Sequence, residues 1–382
     1  MLELILILTY ITLTAAAIFI IRKLVFAFRH FTLGTLPPLT AKQELPSVSV
    51  CIPARNETHA MTQCLESVLA SSYPKLEVIV LDDASIDNTS ILIKSFAHAG
   101  VRFVEGSPLP EGWLGKNHAL QGLLGEASGS YILYVDVDTR LKPNTISDMV
   151  AYALEEEARM VSVMPQRNDG WRSSVLFSPL RYFWELLTHH YNRPAVSSSM
   201  WLIHRNTLIS QLDGFLPYRL EVQPEARFAA QLSHTDQYRF LISSVALGVS
   251  YEKKYSSQVE TSIRLLYPRF GGRLLSAVTM GLLLLVVWSP IGILMSAPVL
   301  GWTFIHTTAL WELIIFMALY GYYLSKVWSY YWWMGALMWP IILSQEIVLL
   351  AVSCVKYLRG TVTWKGRSVL APKEIRRLEA AE

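Results

Sequence analysis

The segment YVDVDT at residues 134–139 places two acidic side chains, Asp136 and Asp138, at the end of an apolar stretch. Alternate side chains of a strand point to the same face, so a strand that continued through this segment would hold the two carboxylates close together. Like charges at such a distance repel unless a cation lies between them or one of them is protonated. The pair therefore predicts a partner, and Mg²⁺ or Mn²⁺ is the kind of cation that carboxylate oxygens favour.

Four polar clusters interrupt the region around this pair. Three of them, PARNE at 53–57, DDASIDNT at 82–89 and DVDT at 136–139, follow segments that are typical of buried strands. Strands are predicted at 48–52, 76–81, 101–104 and before Asp136, and helices at 57–71, 88–97 and 116–127 alternate with them. This alternation predicts an α/β fold with a doubly wound, mostly parallel sheet. Ligands bind beyond the carboxyl ends of the strands in such sheets, which is where the three clusters fall.

The fourth cluster, GWLGKN at 112–117, joins a glycine-rich loop to the start of a predicted helix. Backbone N–H groups and the helix dipole favour an anion there, and Lys116 adds a positive charge. The spacing does not match GxxxxGK[ST], so a P-loop is disfavoured. Since Asp82 and Asp83, at the end of another predicted strand, could accept from a base N–H or a ribose hydroxyl, the clusters together predict a nucleoside diphosphate site. Purely structural alternatives are a turn cap for Asp83 and a solvated helix start for Lys116.

The composition indicates that this site lies beside a membrane. Hydrophobic residues make up 52% of the chain and charged residues only 16%, which suits a membrane protein. The stretch 4–21 carries no charge and is followed by Arg22, Lys23 and Arg29. The positive-inside rule then predicts a membrane anchor with the N-terminus outside and the next domain in the cytoplasm. A cleaved signal sequence is the alternative.

The C-terminal third holds three further apolar runs, at 274–298, 302–324 and 328–354. The tail after them, KYLRGTVTWKGR, is basic and should lie inside, yet three full crossings would leave it outside. One run is therefore re-entrant or interfacial, or the tail departs from the rule. Glu312 and Glu346 lie within these runs, and we expect them to have partners inside the helix bundle.

Charge and cysteine content exclude two other classes of protein. The net charge is only +3, so the chain has no global nucleic-acid signature. The three cysteines are scattered and lack metal-ligand spacing, which indicates reduced thiols rather than a disulfide framework. We divide the chain into an N-terminal membrane anchor (1–23), a linker (24–47), a cytoplasmic α/β domain (48–260), an interfacial basic helix (261–273), membrane helices (274–355) and a cytoplasmic tail (356–382).

The order of the motifs resembles that of the family 2 glycosyltransferases with the GT-A fold. The matching segments are PARNE, LDDASIDNT, GKNHAL, DVDT and DGF at 213–215. The loop GWLGK and the terminal TVTWKGR are similar to the membrane-anchored branch associated with carotenoid and hopanoid glycosylation. The resemblance covers residues 48–232 and part of the tail.

The resemblance implies a role for each matching residue. Pro53, Arg55, Glu57 and Asp83 would line the uridine and ribose pocket, Lys116 and Asn117 would lie near the diphosphate, Asp136 would contact ribose or the metal, and Asp138 would be the main ligand of Mg²⁺ or Mn²⁺.

Two segments depart from the family pattern. The family usually has Glu-Asp ahead of the helix that follows the acceptor loop, and here the matching dipeptide is Pro224–Glu225. Glu225 opens a helical pattern behind a proline, which suits a first-turn position, and it is the predicted general base. A helix-start acid favoured by the dipole is the alternative. The QxxRW of processive synthases is replaced by LYPRF at 266–270, which favours transfer of a single sugar.

We therefore expect a membrane-bound, metal-dependent, inverting glycosyltransferase at the inner membrane, with its catalytic domain in the cytoplasm. Its donor would be a nucleoside diphosphate sugar, UDP-linked, and its acceptor a lipid or polyprenoid-type molecule. A processive polysaccharide synthase and a non-catalytic scaffold are the alternatives. The sequence leaves the sugar, the acceptor and the oligomeric state open.

Overall fold

The computed structural model of the chain describes residues 2–33, 45–168, 176–328 and 331–369. These residues form two compact units. The sheet unit holds the described residues of Phe31–Asn168, Thr188–Glu252 and Thr363–Glu382, and the helix unit holds those of Met1–His30, Asp169–Leu187 and Lys253–Val362.

Ten strands belong to the main body of the sheet unit. In chain order they are β1 (Val48–Ala54), β2 (Leu76–Asp82), β3 (Val101–Glu105), β4 (Tyr131–Val135), β5 (Thr139–Arg140), β6 (Met160–Met164), β7 (Gln166–Arg167), β8 (Met200–His204), β9 (Tyr238–Ile242) and β10 (Ser250–Tyr251). Seven of them form one sheet in the order β3-β2-β1-β4-β8-β6-β9, in which only β8 runs antiparallel to its neighbours. The predicted α/β fold with a mostly parallel sheet is confirmed.

Thirteen helices are fully described across the two units. They are α1 (Leu2–His30), α2 (Met61–Leu69), α3 (Thr89–Ser95), α4 (Gly115–Glu126), α5 (Thr145–Glu155), α6 (Arg181–Leu187), α7 (Arg205–Ser210), α8 (Pro224–Ser233), α9 (Tyr255–Arg269), α10 (Leu274–Leu300), α11 (Phe304–Val327), α12 (Trp332–Leu337) and α13 (Trp339–Leu358). A last pair of short strands, β11 (Thr363–Trp364) and β12 (Arg367–Ser368), forms an antiparallel hairpin in the sheet unit.

The core of the sheet unit explains why these segments are so apolar. Val50 of β1, Val80 of β2 and Leu133 of β4 are completely buried, and Met61 and Leu65 of α2 belong to the same hydrophobic cluster. Burying one such side chain stabilises the folded chain by about 1.5–3 kcal/mol. The strands are therefore fixed in register, which in turn fixes where each strand ends.

Glu77 of β2 holds three segments together at the edge of the sheet where the parallel strands begin. Its carboxylate accepts hydrogen bonds from Ser49 Oγ of β1, from Ser128 N at 2.7 Å and from Gly129 N at 3.2 Å. A side chain on Gly129 would lie 2.7 Å from the Ser49 nitrogen, so only glycine fits. Burial raises the pKa of Glu77, but these hydrogen bonds outweigh it and the pKa is lowered.

The candidate membrane-spanning helices that the described residues contain belong to the helix unit. Among the described residues, four helical stretches are long and apolar enough: Ile7–His30, Leu274–Leu300, Phe304–Val327 and Trp339–Leu358. The first helix continues through His30, past the anchor predicted at 1–23, and residues 34–44 of the predicted linker lie outside the described residues. The helix predicted at 261–273 spans Tyr255–Arg269 instead.

Two buried charged groups of the helix unit have partners within it, and a third has an atom that is unpaired among the described residues. Glu346 of α13 accepts hydrogen bonds from Trp184 Nε1 at 2.7 Å and from Leu180 N at 3.2 Å. Arg269 of α9 is 3% exposed and pairs with Glu185, so its guanidinium does not face lipid headgroups as its interfacial position suggested. For Glu312, Oε2 is buried and has no hydrogen-bond partner among the described residues.

We expect Glu77→Gln to destabilise the sheet unit, because the amide cannot accept as many hydrogen bonds and carries no charge. The loss should be roughly 1–2 kcal/mol at neutral pH. A carboxyl whose folded pKa is lowered stabilises the fold above its unfolded pKa of about 4.3, and this contribution is lost as the pH falls. The gap in melting temperature between wild type and variant should therefore narrow below pH 4.

Glu126→Gln is the matched control, since Glu126 forms an exposed ion pair with Arg102. Exposed pairs contribute little, so its melting temperature should equal that of the wild type. If Glu77→Gln has the same melting temperature as this control at neutral pH, the hydrogen bonds of Glu77 do not stabilise the sheet unit as proposed.

Candidate active site

The register of the sheet brings the carboxyl ends of three strands to one edge. Ala54, the last residue of β1, pairs with Asp82, the last residue of β2. On the other side of β1, Cys51 pairs with Tyr134, so β4 also ends at this edge. The residues after these strands are 55–59, 83–89 and 136–138, and most of the predicted site residues lie among them. Pro53 lies within β1, close to its end.

The two aspartates of the DVDT segment do not share a strand face. Strand β4 ends at Val135, and a turn follows in which Thr139 N donates to Asp136 O at 2.9 Å. Asp136 Oδ1 accepts a hydrogen bond from Lys116 Nζ at 2.7 Å. The premise of a continuing strand is therefore wrong, and Asp136 has a lysine as its partner in this structure.

Asp138 instead lies beside two residues of the loop after β1. One ligand atom each from Asp138, Glu57 and His59 lies within 4.8 Å of the others, close enough to share one ion. Two carboxylates and an imidazole suit Mn²⁺, which accepts both oxygen and nitrogen ligands. We call these three residues the carboxylate–histidine trio. His59 was not among the site residues predicted from the sequence.

The loop that carries Glu57 and His59 is fixed by the loop after β2. Glu57 N donates to Thr89 Oγ1 at 2.8 Å, and Asp87 accepts from the hydroxyl of Thr58. Burial raises the pKa of Asp87, but hydrogen bonds from Thr58 and Thr89 hold it at about 2. A carboxylate that stays ionised keeps Thr58, and thereby its two neighbours, in place at all physiological pH values.

Arg55 braces the same two loops. Its Nη1 donates to Asp83 O at 2.5 Å and to Ala84 O at 3.0 Å. Ala84 has a φ of 52°, a conformation that costs energy for any residue with a Cβ. Such strain persists only where surrounding contacts over-determine the backbone, and Arg55 supplies two of those contacts. Arg55 therefore positions the backbone of Asp83 in addition to any contact with a ligand.

The adjacent acids Asp82 and Asp83 have different partners. Asp82 accepts hydrogen bonds from Ser85 N at 3.3 Å and from the hydroxyls of Ser85 and Ser90, so it shapes the loop. Asp83 Oδ1 and Oδ2 accept from Arg367 Nη1 at 2.8 and 2.6 Å. Of the two acids, only Asp83 faces the C-terminal hairpin.

The hairpin of β11 and β12 reaches the site at a second point. Lys365 Nζ donates to Arg55 O at 2.9 Å and to the Glu57 carboxylate. Lys365 therefore contacts one member of the carboxylate–histidine trio. The sequence offered the basic tail as a topology signal and as part of the family resemblance, and neither Lys365 nor Arg367 was among the predicted site residues.

Helix α4 begins beside this hairpin. Its first residue, Gly115, lies so close to Arg367 that a Cβ there would be 2.8 Å from Nη1. The amide nitrogen of Asn117 donates to the carbonyls of Tyr218, Arg219 and Glu221 at 2.8–3.1 Å. Asn117 thus anchors the loop before α8, and its predicted place near a diphosphate stays a prediction.

Burial also affects the one histidine of α4. It lowers the pKa of His118, while the charge of Asp83 opposes this shift and that of Arg367 reinforces it. The imidazole is therefore neutral at neutral pH, and the positive charge beside Gly115 comes from Lys116 and Arg367.

Glu225 lies in the first turn of α8, behind Pro224, where the sequence predicted it. Its side chain is largely enclosed, at 2% exposure for the residue. Glu221 has an exposed ion pair with Arg227 at 2.6 Å. These two nearby acids therefore differ in environment, and Glu225 is the one held rigidly by the helix.

The sequence of residues 49–209 matches the family profile described as Glycosyl transferase family 2. A segment of 116 residues is 36% identical to the probable glycosyltransferase YdaM of Bacillus subtilis, and covers 29% of this chain and 26% of that protein. A segment of 144 residues is 31% identical to a 4,4'-diaponeurosporenoate glycosyltransferase of Staphylococcus aureus, and covers 37% of this chain and 36% of that protein. The chain thus spans only about a quarter to a third of these relatives.

A solved structure resembles the chain over a greater length. The mannosyltransferase PcManGT from Pyrobaculum calidifontis, in complex with GDP-Man and Mn²⁺, aligns with 92% of this chain and 98% of its own, with a TM-score of 0.56 and 20% sequence identity. At this identity the likeness shows the fold alone, which is the GT-A fold. The family resemblance and fold predicted from the sequence are therefore confirmed. Residues 49–209 of this chain are thus similar to a family 2 glycosyltransferase domain.

Proposed function

We propose that this protein transfers one sugar from a UDP-linked donor to a lipid acceptor at the cytoplasmic face of the membrane. The reaction would require a divalent cation and would invert the configuration at the anomeric carbon. The observation that carries the proposal is the convergence of the carboxylate–histidine trio, Asp83 and Lys116 at the carboxyl edge of the sheet in a family 2 domain. A nucleoside diphosphate sugar requires three kinds of group: metal ligands, a hydrogen-bond acceptor for the nucleoside, and a cationic side chain for the phosphates.

Lys116 and the N-terminus of α4 would bind the diphosphate. The first helical N–H groups of α4 have no partners within the helix and favour an anion, and Lys116 lies in that first turn. In this structure the ammonium group is held by Asp136 at 2.7 Å. Their side chains are only 15% and 26% exposed, so the ammonium is oriented before a donor arrives.

Glu57, His59 and Asp138 would hold the cation. Their ligand atoms are close enough together for one ion, and their donor set fits Mn²⁺. The fold relative PcManGT was solved with Mn²⁺ and a nucleotide sugar. A cation bound there would stabilise the negative charge that develops on the departing diphosphate.

Asp83 would select the nucleobase of the donor. It follows the last residue of β2 and lies beside the start of α4, since its Oδ2 would be 3.2 Å from a Cβ placed on Gly115. A carboxylate there can accept from the N3–H of uracil, as the family resemblance implies. Loss of one such contact should weaken binding by about 1–3 kcal/mol.

Glu225 would take the proton of the acceptor. A general base must be held rigidly near the acceptor, and the first turn of α8 fixes this carboxylate. Asn117 assists indirectly, because it fixes the loop of residues 218–221 that leads into α8. The acceptor would be a lipid hydroxyl or carboxyl, in keeping with the four candidate membrane helices and with relatives named for 4,4'-diaponeurosporenoate.

Chain connectivity limits the membrane topology. The sheet unit contains both the residues that follow α1 and the hairpin that follows α13, so these ends must lie on the same side of a membrane. An even number of the three candidates α10, α11 and α13 must then cross. Tyr357 of α13 donates to the Arg264 carbonyl at 2.7 Å, beside the charged face of α9. We propose that α13 lies at the interface and that α10 and α11 cross.

Cysteine labelling tests this topology. In a Cys354→Ser background, Ser368→Cys should react with a membrane-impermeant maleimide only after the cells are permeabilised. Val299→Cys, at the exposed end of α10, is the control and should react in intact cells. Reaction of Ser368→Cys in intact cells would contradict the proposed arrangement.

A panel of nucleotide sugars tests the function. Purified protein in detergent, given UDP-, GDP- and dTDP-sugars with lipid extract, should release UDP and form a glycolipid detectable by mass spectrometry. EDTA should abolish the reaction and Mn²⁺ should restore it. Equal turnover of GDP-sugars would refute the proposed preference for uracil. No turnover of any donor would refute the proposed activity.

We expect Glu225→Gln to bind UDP-sugar normally and to lower turnover by roughly 10²–10⁴-fold, the usual contribution of a general base. Glu221→Gln is the matched control and should retain activity. A dead Glu221→Gln with a normal Glu225→Gln would assign the base to the other carboxylate. Normal turnover in both variants would mean that neither acid is the base.

A further inference from the structure

The C-terminal hairpin belongs to the sheet unit but lies outside the segment that matches the family 2 profile. Residues 363–368 lie far beyond residue 209, where the family match ends. They nevertheless belong to the same compact unit as the strand ends. The turn between the strands, at Lys365 and Gly366, has positive φ values of 48° and 78°, so the hairpin is tight and presents its side chains in a fixed direction.

Two cations of the hairpin contact two acids of the proposed donor site. Lys365 Nζ pairs with Glu57, and Arg367 Nη1 pairs with both oxygens of Asp83. The backbone adds a third contact, in which Arg55 Nε donates to Lys365 O at 3.4 Å. The hairpin is therefore attached to the site at the metal side and at the nucleoside side.

These ion pairs are shielded from solvent. The side chains of Lys365 and Glu57 are 19% and 13% exposed, and those of Arg367 and Asp83 are 22% and 6% exposed. By contrast, the surface pair Arg102–Glu126 is 48% and 47% exposed. Partly buried charges are screened less by water and salt, so loss of one partner has a larger effect at the site than at the surface.

The guanidinium of Arg367 also lies at the proposed diphosphate position. Its Nη1 is 2.8 Å from the place of a Cβ on Gly115, the first residue of α4. Lys116 follows directly. The helix N-terminus, Lys116 and Arg367 therefore form one positive surface, although each of the two side chains is neutralised by an aspartate in this structure.

The three ion pairs follow one pattern. Lys116–Asp136, Lys365–Glu57 and Arg367–Asp83 each join a cation suited to phosphate with an acid suited to a metal, a base or a ribose. A nucleoside diphosphate with a divalent cation carries the complementary groups for both halves of each pair. When it binds, the carboxylates would exchange their cationic side-chain partners for the metal and the nucleoside, and the cationic side chains would pair with the phosphates. No buried charge would be left unpaired.

We propose that Lys365 and Arg367 are donor-binding residues that pass from Glu57 and Asp83 to the diphosphate when the metal and nucleotide bind. The inference rests on the proposed function and deepens it, since it adds the hairpin to the donor site. It has a distinctive consequence. Loss of Lys365 takes a cation away from the metal ligand Glu57 and also removes a phosphate ligand, so in this variant Mn²⁺ affinity and UDP affinity should change in opposite directions.

The experiment uses two titrations of the full-length protein in detergent. Mn²⁺ binding without nucleotide is measured by EPR, and UDP binding at saturating Mn²⁺ is measured by calorimetry. Lys365→Gln should bind Mn²⁺ alone several-fold more tightly and UDP roughly tenfold more weakly, the loss expected for one charge-assisted hydrogen bond. Arg367→Gln should weaken UDP by a similar factor or more.

Two further variants separate charge from folding. Arg102→Gln removes an exposed Arg–Glu pair of the same unit and should leave both affinities unchanged. Arg367→Lys keeps the charge but not the planar fork, and should recover part of the UDP affinity that Arg367→Gln loses. A hairpin that only supports the fold would give no such recovery.

Each outcome decides between models. Tighter binding of both Mn²⁺ and UDP in Lys365→Gln would make the hairpin a competitor of the donor and would overturn the proposal. Unchanged UDP affinity in both glutamine variants would overturn it as well. Weaker binding of both ligands without recovery in Arg367→Lys would assign a structural role only. A wild-type protein that binds neither UDP nor GDP would instead refute the proposed function, which keeps the two failures distinct.

Discussion

Repulsion between carboxylates is the constraint on which the site depends. Parallel strands deliver their carboxyl ends to one edge, and there the chain places Glu57, Asp83, Asp136 and Asp138. Acids so close together cannot all stay ionised without compensating positive charge. In this structure the compensation comes from Lys116, Lys365 and Arg367. The segments that carry these cations are therefore held at the edge by the acids they neutralise.

The same constraint connects fold and function. A site whose acids already have cationic partners is stable without ligands, and under the proposed function those contacts would be exchanged when a metal and a diphosphate arrive. Hydrogen bonds that do not take part in the exchange keep the loops in place, such as those of Asp87 to Thr58 and Thr89 and those of Asn117 to the 218–221 loop. Rigid loops with exchangeable ion pairs are what preorganised binding of a charged donor requires.

The sequence predicted the parts of the fold that depend on local pattern. Strands with runs of β-branched residues and helices with apolar stripes were placed within a few residues, and the polar clusters were correctly expected at one sheet edge. Local pattern also gave Glu225 its place behind Pro224, since a proline at a helix start is a local signal. The end of β4 was misplaced because alternation of Asp136 and Asp138 continues the strand pattern into a turn.

Contacts between distant segments could not be predicted. Lys365 and Arg367 lie some 300 residues from Glu57 and Asp83, and nothing in their own surroundings points to acids. Their charge supported only a prediction of the side of the membrane on which the tail lies, and that prediction says nothing about contacts with the site. His59 was missed since a single histidine in a polar loop is common, and only the fold brings Asp138 beside it. Arg269 was expected at the membrane interface because it lies just before an apolar run, and its partner, Glu185, is 84 residues away in sequence.

The central claim is that the acids of this edge hold a divalent cation together with a nucleoside diphosphate. Pulsed EPR of Mn²⁺ on protein labelled with ¹⁵N-histidine, with UDP added, measures both contacts at once. We predict a ¹⁵N coupling that disappears in His59→Asn and ³¹P couplings that require UDP. Mn²⁺ that shows ³¹P couplings but no ¹⁵N coupling in the wild type would contradict the trio, and the absence of both couplings would contradict the site as a whole.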